Sequence, residues 1–511
     1  MAASTTTHKT KKSTRKTRTP AKRTAKAKGS TAAPRTKQKA NKKPIAARSI
    51  VTYNVALRWL YEHIDYERMR IVPYNSRAFS LERMRKLLGL LDNPHQQLRC
   101  VQVAGTKGKG STCAMLSSML RECGYTVGLF SSPHLIDLAE RISIDGQIIS
   151  HGDLTDVFRL IASKERLVGT TPPSFFELLT AAALYYFADQ AVDIAVLETG
   201  LGGRLDSTTV VTPLVTGMAH ISLDHTNVLG NSLTQIAREK AGIFKKGVPA
   251  VSVEQDPAVA EVLSQVAEEV DAPLTFTRRE IDFSYRFEAS RKLGPHTRVC
   301  LATKTSRWDH LAVPLDGEHQ AHNCGLALAM LDCLKAHKFS VPEEQVISGL
   351  AKTTLPGRME QVWNQPRVVI DGAHNATSIT ALIRALGAHI PYDSLVMIFG
   401  CGQDKDTDGM LQQIALGADK VIFTRAKANR RAHEPDDLMN RFNQMCGKMA
   451  QAGSTLSDAL QLAERAVSRE DLIIITGSFY LAGEARKHFL NKKKKLAYQS
   501  TDSVPSTVSP R

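Results

Sequence analysis

Short apolar runs alternate with amphipathic stretches through the middle of this chain. The pattern predicts strands at Val127 to Phe130, Ile194 to Leu197 and Val215 to Ile221, with a helix around Phe176 to Phe187. Strands that alternate with helices in this way are typical of a parallel sheet covered by helices on both faces. We therefore expect an α/β fold.

The segment before these strands, residues 50–100, has helical periodicity. Its apolar positions recur at three- and four-residue intervals and so share one helix face, which ends before Asn93-Pro94. These positions are Leu81, Met84, Leu87, Leu88 and Leu91.

The pattern changes after residue 255. Alternating residues at Phe283 to Phe287 and Arg298 to Ala302 predict an antiparallel addition within residues 255–315, and a helix is expected from His319 to Ala336. A second α/β alternation follows Leu355-Pro-Gly-Arg358, so we place a domain boundary near residue 352. The strands predicted in this second half are Val368 to Ile370, Leu395 to Phe399, Lys420 to Thr424 and Leu472 to Ile475.

The stretch from Val101 to Thr112 predicts a buried strand that turns through three glycines into a helix. Backbone N–H groups at Gly105, Gly108 and Gly110 can converge on phosphate oxygens there, and Lys109 adds positive charge. The stretch departs from the usual Walker pattern, because Val103 replaces a glycine and Gly110 separates Lys109 from Ser111. Taken alone, such a loop is also compatible with a simple tight turn.

Polar side chains with ligand chemistry follow three of the predicted strands. Glu198 follows one strand, Asp224 and His225 follow another, and Ser132 and His134 follow the third. Each has an ordinary alternative, such as a helix cap or a turn. Because ligands of open parallel sheets bind at the carboxyl ends of the strands, their joint occurrence after a phosphate loop predicts a Mg²⁺ site.

The net charge of +17 comes almost entirely from residues 1–49, which hold 16 Lys and Arg and no Asp or Glu, so the remaining chain carries about +1. Such a segment cannot bury a core, and we expect it to be disordered. It could bind polyanions such as nucleic acid, or it could have no partner. The eight cysteines form no CxxC pair, which favours reduced thiols and a cytoplasmic setting, and no apolar run is long enough to span a membrane.

The chain resembles the folylpolyglutamate synthases and the related bifunctional dihydrofolate synthases of the Mur-ligase superfamily. The matching segments occur in the family's order over roughly residues 72 to 488, and Gly110 is a mark of this branch. They are Gly105 to Ser111, Ser132 to Leu135, Glu140 to Ile142, Phe175 to Glu177, Glu198 to Asp206, Leu223 to His225, Glu239 to Gly242, Pro356 to Glu360, Asp371 to Asn375 and Asp404 to Asp406.

The resemblance implies a nucleotide site and the residues that form it. Lys109 and Arg358, with His225 and Lys240, are expected to act in catalysis. Lys240 is implied to be carbamylated and to hold a second Mg²⁺, although the sequence alone predicts an ordinary lysine on a helix surface. ATP contacts are expected from Gly105, Thr106, Lys107, Gly108, Lys109, Gly110, Ser111, Asn323, Arg358, Asp371 and His374.

The remaining implied residues concern the metal and the pterin-bearing substrate. Ser132, Glu198, His225 and Lys240 are the expected metal ligands. The weaker candidates for substrate contact are Phe176, Glu177, Leu205, Asp206 and Ser207.

The implied architecture is a P-loop-containing Mur-ligase-like domain with a parallel sheet, over residues 50–352, and a smaller Rossmann-like domain, over residues 353–490. Residues 1–49 and 491–511 are expected to be disordered tails. The implied activity is ATP-dependent addition of L-glutamate to tetrahydrofolate through an acyl phosphate, and dihydropteroate is a further acceptor to test. The alternatives are a Mur-type ligase with another acceptor and an ATPase that binds nucleic acid through its tail. We expect a monomer with no membrane partner.

Overall fold

The computed structural model describes residues 45–66, 79–429 and 431–501, the last five as helical backbone alone. We call residues 45–351 the N-lobe and residues 357–501 the C-lobe. Each lobe is built around its own sheet. The expected basic tail lies outside the described residues up to position 44.

The N-lobe sheet has eight strands in the order β4-β3-β2-β5-β1-β6-β7-β8. The pairs from β2 to β8 are parallel, whereas β3 and β4 add to one edge in antiparallel fashion. The strands are β1 (Cys100–Ala104), β2 (Val127–Phe130), β3 (Ile142–Ile144), β4 (Gln147–Ile148), β5 (Ile194–Glu198), β6 (Val215–Met218), β7 (Ala250–Ser252) and β8 (Leu274–Phe276).

The ten α-helices in the described part of the N-lobe cover both faces of this sheet and form three apolar cores. The central strands β1, β5 and β6 are buried on both faces, which is why they read as continuous apolar runs. The helices are α1 (Tyr53–Leu60), α2 (Leu81–Gly89), α3 (Lys109–Glu122), α4 (His151–Lys164), α5 (Phe175–Asp189), α6 (Thr226–Leu229), α7 (Leu233–Ala241), α8 (Pro257–Val270), α9 (Glu318–Cys333) and α10 (Glu343–Ala351).

A separate three-stranded antiparallel sheet lies against α9. Its strands are β9 (Asp282–Ser290), β10 (Gly294–Ala302) and β11 (Arg307–Ala312), with β10 in the centre. The predicted antiparallel addition is thus present. The helix α8 and the strand β8, both within residues 255–315, are additional to it.

The C-lobe sheet has six strands in the order β12-β13-β17-β14-β15-β16, parallel except for the β12 edge. Its strands are β12 (Glu360–Asn364), β13 (Arg367–Ile370), β14 (Leu395–Phe399), β15 (Lys420–Phe423), β16 (Met449–Ala452) and β17 (Leu472–Thr476). Its helices are α11 (Ala376–His389), α12 (Thr407–Gly417), α13 (Pro435–Met445), α14 (Leu456–Ala466) and α15 (Phe479–Thr501).

The predicted α/β class with two α/β units is confirmed, and one detail of the prediction is corrected. The N-lobe sheet is mixed, because the short strands β3 and β4 form a hairpin on its edge. The domain boundary predicted near residue 352 falls between α10 and β12 and stays a prediction.

Described structure extends into both segments that the sequence predicts to be disordered tails. Ala47–Ser49 forms a 3-10 helix, because Ile45 and Ala47 already pack on the apolar core. At the other end α15 continues past position 491 to Thr501, since Lys and Leu are good helix formers and Lys492 lies 4.6 Å above the Trp363 ring. Residues 502–511 lie outside the described residues.

None of the helices in the described ranges combines the length and the apolar character that a bilayer span needs. All eight cysteines are free, and four of them are buried.

The two lobes meet at Leu135, which lies in the N-lobe loop after β2 and packs on the C-lobe core. A Cβ atom placed on Gly483 of α15 would lie 2.0 Å from the backbone oxygen of Leu135. The helix backbone of one lobe therefore rests directly on the loop backbone of the other. Only glycine permits this approach.

We expect Gly483→Ala to destabilise the folded protein by about 1–3 kcal/mol, because the added methyl group must push the lobes apart. Thermal and urea unfolding would measure the loss. Gly447→Ala is the matched control, since a Cβ atom there meets nothing within 4 Å. Equal stability of the two variants would contradict the direct contact between the lobes.

Candidate active site

The glycine-rich loop lies where β1 ends and α3 begins. Parallel pairing places Val103 of β1 beside Glu198 of β5, and Ala104 beside Met218 of β6. The carboxyl ends of three central strands therefore meet at this loop. The strand-end residues that the sequence singled out are brought to one place.

Gly108 is the N-cap of α3 and has a φ angle of +93°. A Cβ atom there would lie 2.0 Å from Oδ1 of Asn323, whose Nδ2 donates to Gln320 Oε1 at 2.9 Å. The loop thus takes a left-handed turn directly against α9. This arrangement places Asn323, a predicted nucleotide contact, beside the predicted phosphate loop.

Two lysines donate to one carbonyl oxygen at the start of the loop. Lys109 Nζ lies 3.1 Å from Gly105 O, and Lys240 Nζ lies 2.8 Å from the same atom. Burial, followed by the charge of Lys109, lowers the pKa of Lys240 to about 7. A large share of Lys240 is therefore a neutral amine near neutral pH.

Lys240 is buried, with 5% of its surface exposed, and is not the surface lysine that the sequence alone predicts. The covering segment is the loop after β5. Its Gly203 allows the closest approach, since a Cβ atom there would lie 2.4 Å from the backbone oxygen of Lys240. Arg204 N–H also donates to Glu239 O at 2.8 Å. Helical periodicity cannot reveal a loop that arrives from elsewhere in the chain.

Glu198 faces the loop from the end of β5 and is 4% exposed. One carboxylate oxygen accepts the Ser132 backbone N–H at 2.9 Å, and a Cβ atom on Gly110 would lie 3.5 Å from it. Burial raises the pKa of Glu198, while the charge of Lys109 opposes that rise. A desolvated carboxylate in this position is suited to bind a cation.

The segment after β6 is tied to the glycine-rich loop. The backbone N–H groups of Thr106 and Lys107 donate to His220 O at 2.8 and 3.1 Å, and Thr106 Oγ1 donates to Ser222 O at 3.1 Å. Lys107 Nζ forms an ion pair with Asp224 Oδ2 at 3.0 Å.

His225 follows this pair and adopts a left-handed φ of +50°. The His225 side chain is 54% exposed to the cleft. Desolvation by the walls of the cleft nevertheless lowers its pKa to about 4; the charge of Asp224 opposes this shift and that of Lys405 adds to it. The imidazole is therefore neutral at physiological pH. A neutral imidazole is the form that can bind a metal.

The C-lobe contributes Arg358, Asp371 and His374 to the same cleft. The Arg358 guanidinium carbon lies 4.7 Å from the ring centre of Phe479. Asp371 is buried and accepts the backbone N–H groups of Met359 and Ala373, at 3.0 and 2.8 Å. Burial, followed by the charge of Lys107, lowers the pKa of His374 to about 3.

The predicted substrate residues form one wall of the cleft. Glu177 begins α5 in a capping box with Ser174, and its carboxylate binds the buried Arg83 guanidinium through contacts of 2.6 to 3.1 Å. The Phe176 ring lies over the backbone of Gly200, since a Cβ atom there would be 2.4 Å from the ring. Glu177 therefore lines the cleft as predicted, but its carboxylate is already bound to Arg83.

Asp206 and Ser207 hold the shape of the same wall. Asp206 caps the 3-10 helix Ser207–Val210 and accepts from Leu201 N–H at 2.9 Å and Thr208 N–H at 3.0 Å. Ser207 Oγ lies 2.6 Å from Thr180 Oγ1. Leu205 lines the cleft beside them.

The cleft has a volume of about 1930 Å³ and lies between the lobes. Every predicted site residue lines it except Gly105 and Lys240. Lys240 is linked to the site by its hydrogen bond to the Gly105 carbonyl and by its charge interactions with Lys109 and His225. The fold thus places most of the predicted site residues around one cavity.

The predicted metal ligands suit an ion that is bound jointly by the protein, water and phosphate oxygens better than an ion bound by protein ligands alone. Within the described ranges, no three His, Cys, Asp or Glu side chains come together as metal ligands. Glu198, with Ser132 and the neutral His225, supplies few protein ligands. That donor set matches Mg²⁺, which retains waters and shares phosphate oxygens.

The sequence prediction assigned no role to two further residues: Arg83, which binds the Glu177 carboxylate, and Lys405, which lines the cleft. Arg83 lies four residues before Leu87 and so falls on the buried face of α2, which is a readable signal for a buried partner. Lys405 lies in the Asp404 to Asp406 motif and lines the cleft.

Comparison with known proteins agrees with this geometry. Residues 103–331 match the Mur ligase middle domain, and residues 357–479 match the Mur ligase glutamate ligase domain. The fold and the site therefore define a Mur ligase.

Relatives narrow the class. A dihydrofolate synthase/folylpolyglutamate synthase of Bacillus subtilis is 33% identical over 80% of this chain and 94% of its own length. The structure of Mycobacterium tuberculosis folylpolyglutamate synthase complexed with ADP has a TM-score of 0.77 and 32% identity, and covers 86% of this chain and 98% of that one. This chain belongs to the folylpolyglutamate synthase and dihydrofolate synthase family.

One longer relative shares only part of its length with this chain. The probable bifunctional folylpolyglutamate synthase/dihydropteroate synthase of Haloferax volcanii is 32% identical over 89% of this chain. This chain spans about half of it, 53%.

We expect Gly108→Ala to abolish tight ATP binding and to destabilise the fold by about 1–3 kcal/mol, because the methyl group enters the Asn323 amide at a strained φ. Calorimetric ATP titration and thermal unfolding would measure both effects. Gly387→Ala is the control, since that glycine of α11 does not line the cleft and its Cβ atom would come no closer than 3.9 Å to the Tyr392 hydroxyl. Unchanged ATP affinity in Gly108→Ala would contradict the assignment of the loop.

Proposed function

We propose that this protein uses ATP to join L-glutamate by an amide bond to the carboxylate of tetrahydrofolate. The observation that carries the proposal is the convergence of Lys109, Glu198 and Arg358 on one cleft between the two lobes. Burial raises the pKa of Glu198, while the charges of Lys109 and Arg358 lower it. The charge of Arg358 also lowers the pKa of Asp371, which burial raises. Cations from both lobes thus surround a space that suits a triphosphate.

The chemistry proceeds in two steps. A carboxylate oxygen of the folate attacks the terminal phosphorus of ATP, ADP leaves, and an acyl phosphate forms. The amino nitrogen of glutamate then attacks the acyl carbon, phosphate leaves, and the nitrogen loses a proton.

The residues of this chain lower the barrier by charge and by position. Both substrates of the first step are anions, so Lys109 and Arg358 offset the charge that accumulates between them. Because the two side chains come from different lobes, closure of the cleft places both and excludes water from the acyl phosphate.

Ser132, Glu198 and His225 would hold Mg²⁺ at the end of the triphosphate. When bound, this ion polarises the phosphoryl oxygens and neutralises part of their charge. Lys240 would support a second ion after carbamylation.

A second acceptor, dihydropteroate, is favoured by the similarity to the Bacillus subtilis relative, which is named both a dihydrofolate synthase and a folylpolyglutamate synthase. The wall formed by Phe176, Leu205 and Ser207 would contact the pteridine ring system that both acceptors carry in different reduction states. The monomeric state, the cytoplasmic location and nucleic-acid binding by residues 1–49 stay predictions.

The test supplies ATP, Mg²⁺ and glutamate with tetrahydrofolate or with dihydropteroate, and measures ADP release and product mass. We expect ligation with tetrahydrofolate, and loss of ligation in Lys109→Ala and Arg358→Ala with circular dichroism unchanged. Lys246→Ala is the matched control, because that lysine is exposed and pairs with Asp271 away from the cleft. Near-normal turnover in either active-site variant would refute the assigned roles.

We expect ligase activity to depend on dissolved CO₂, because a lysine of pKa about 7 is largely neutral at pH 8 and can add CO₂ to form a carbamate with release of a proton. Activity would fall in degassed, bicarbonate-free buffer and return with bicarbonate. The carbamate fraction would rise as pH increases through 7, because the neutral amine is the reactive form. Carbon-13 NMR with labelled bicarbonate would detect the carbamate.

Lys240→Arg is the control, since a guanidinium stays protonated and forms no carbamate. Its residual activity should be independent of bicarbonate. If the protein that retains Lys240 is also active independently of bicarbonate and shows no labelled carbon signal, Lys240 is not carbamylated.

A further inference from the structure

Lys107 is the loop lysine whose ammonium points away from the Gly105 carbonyl. Lys109 and Lys240 both donate to that carbonyl, at 3.1 and 2.8 Å. Lys107 instead pairs with Asp224 on the neighbouring segment, at 3.0 Å. The two lysines of the loop therefore have different partners.

The backbone around this ion pair is held in place. The N–H groups of Thr106 and Lys107 donate to His220 O, and the Thr106 hydroxyl donates to Ser222 O. The segment that carries Asp224 is thus fixed beside the loop by main-chain bonds. It does not need the ion pair for its position.

The ion pair itself is partly solvated. The Lys107 side chain is 31% exposed and that of Asp224 is 19% exposed, and both line the cleft. An ion pair that keeps contact with solvent contributes less to folding stability than a fully buried one, and main-chain bonds already hold this segment. The pair can therefore be exchanged for a stronger partner without loss of the fold.

The charge of Lys107 reaches the centre of the cleft. It helps to lower the pKa of His374 of the C-lobe, after burial, and its own pKa is lowered by burial and also by the charges of Lys109 and Arg358. The ammonium thus lies within electrostatic reach of the two cations assigned to the phosphates. A triphosphate bound there would attract it more strongly than a single carboxylate does.

We propose that Lys107 is an exchangeable phosphate clamp, whose ammonium pairs with Asp224 before nucleotide binds and moves to the terminal phosphate of ATP afterwards. The inference rests on the proposed use of ATP. Asp224 then competes with the nucleotide for the same cation. The loss of Asp224 should therefore strengthen ATP binding, whereas a structural role would make it weaken binding.

The test measures the dissociation constants of ATP and ADP by calorimetry for the full chain and for three variants, with and without Mg²⁺. Lys107→Met keeps the aliphatic stem and should weaken ATP binding about tenfold while changing ADP binding little, because one charge-assisted hydrogen bond to the terminal phosphate is lost. Asp224→Asn should tighten ATP binding a few-fold, by an amount in line with a partly exposed ion pair. The double variant should match Lys107→Met.

Lys86→Met is the matched control, because it removes the same charge from an exposed lysine of α2 that pairs with Glu82. Equal weakening of ATP and ADP by Lys107→Met would overturn the clamp and assign Lys107 to the shape of the loop. Weaker ATP binding in Asp224→Asn, in both metal conditions, would also overturn it. Failure of the unmodified chain to bind either nucleotide would instead refute the proposed function, and the clamp with it.

Discussion

The concentration of positive charge at the end of the N-lobe sheet is the constraint on which the rest of the site depends. Lys107, Lys109 and Lys240 of the N-lobe lie close enough for one charge to lower the pKa of another, and Arg358 and Lys405 of the C-lobe add to the same field. Such crowding is unfavourable in a poorly hydrated space. The Gly105 carbonyl and the Asp224 carboxylate offset part of it. A polyanion bound in the cleft would offset the rest, which links the electrostatics of the loop to the nucleotide proposed above.

The C-lobe forms the opposite wall of the cleft and adds charged and polar side chains, among them Arg358, to those of the N-lobe. Contacts between the lobes include Leu135 against Gly483 and the Gly317 N–H, which donates to His389 Nε2 at 3.2 Å. Arg358 and His374 of the C-lobe line the same cleft as the phosphate loop. A small rotation about the contacts would change the distance between Arg358 and Lys109, and with it the charge around a transferring phosphate.

Most of the fold could be predicted from the sequence, and the strands missed at the sheet edges share a cause. Central strands such as Ile194–Glu198 and Leu472–Thr476 are buried on both faces and carry an unbroken apolar signal. The strands β4, β12 and β16 lie at sheet edges, where half of the residues face solvent, so their signal is weak. The helix Pro257–Val270 was absorbed into a segment expected to be antiparallel, although Pro257 at its first turn is a helix-start signal.

The features of the candidate site also fall into those set by local sequence and those set by packing between distant segments. The sequence alone determined the turn of the glycine-rich loop and the polar residues at the strand ends, because both follow from local geometry and from the rule that parallel strands share one edge. Only the tertiary structure decided that Lys240 is buried and that Glu177 is bound by Arg83, since each result depends on segments far apart in the chain. It also decided the pairing of Lys107 with Asp224, which requires β1 and β6 to lie side by side. Partners that meet only through folding leave no periodicity in the chain, whereas turns and strand ends do.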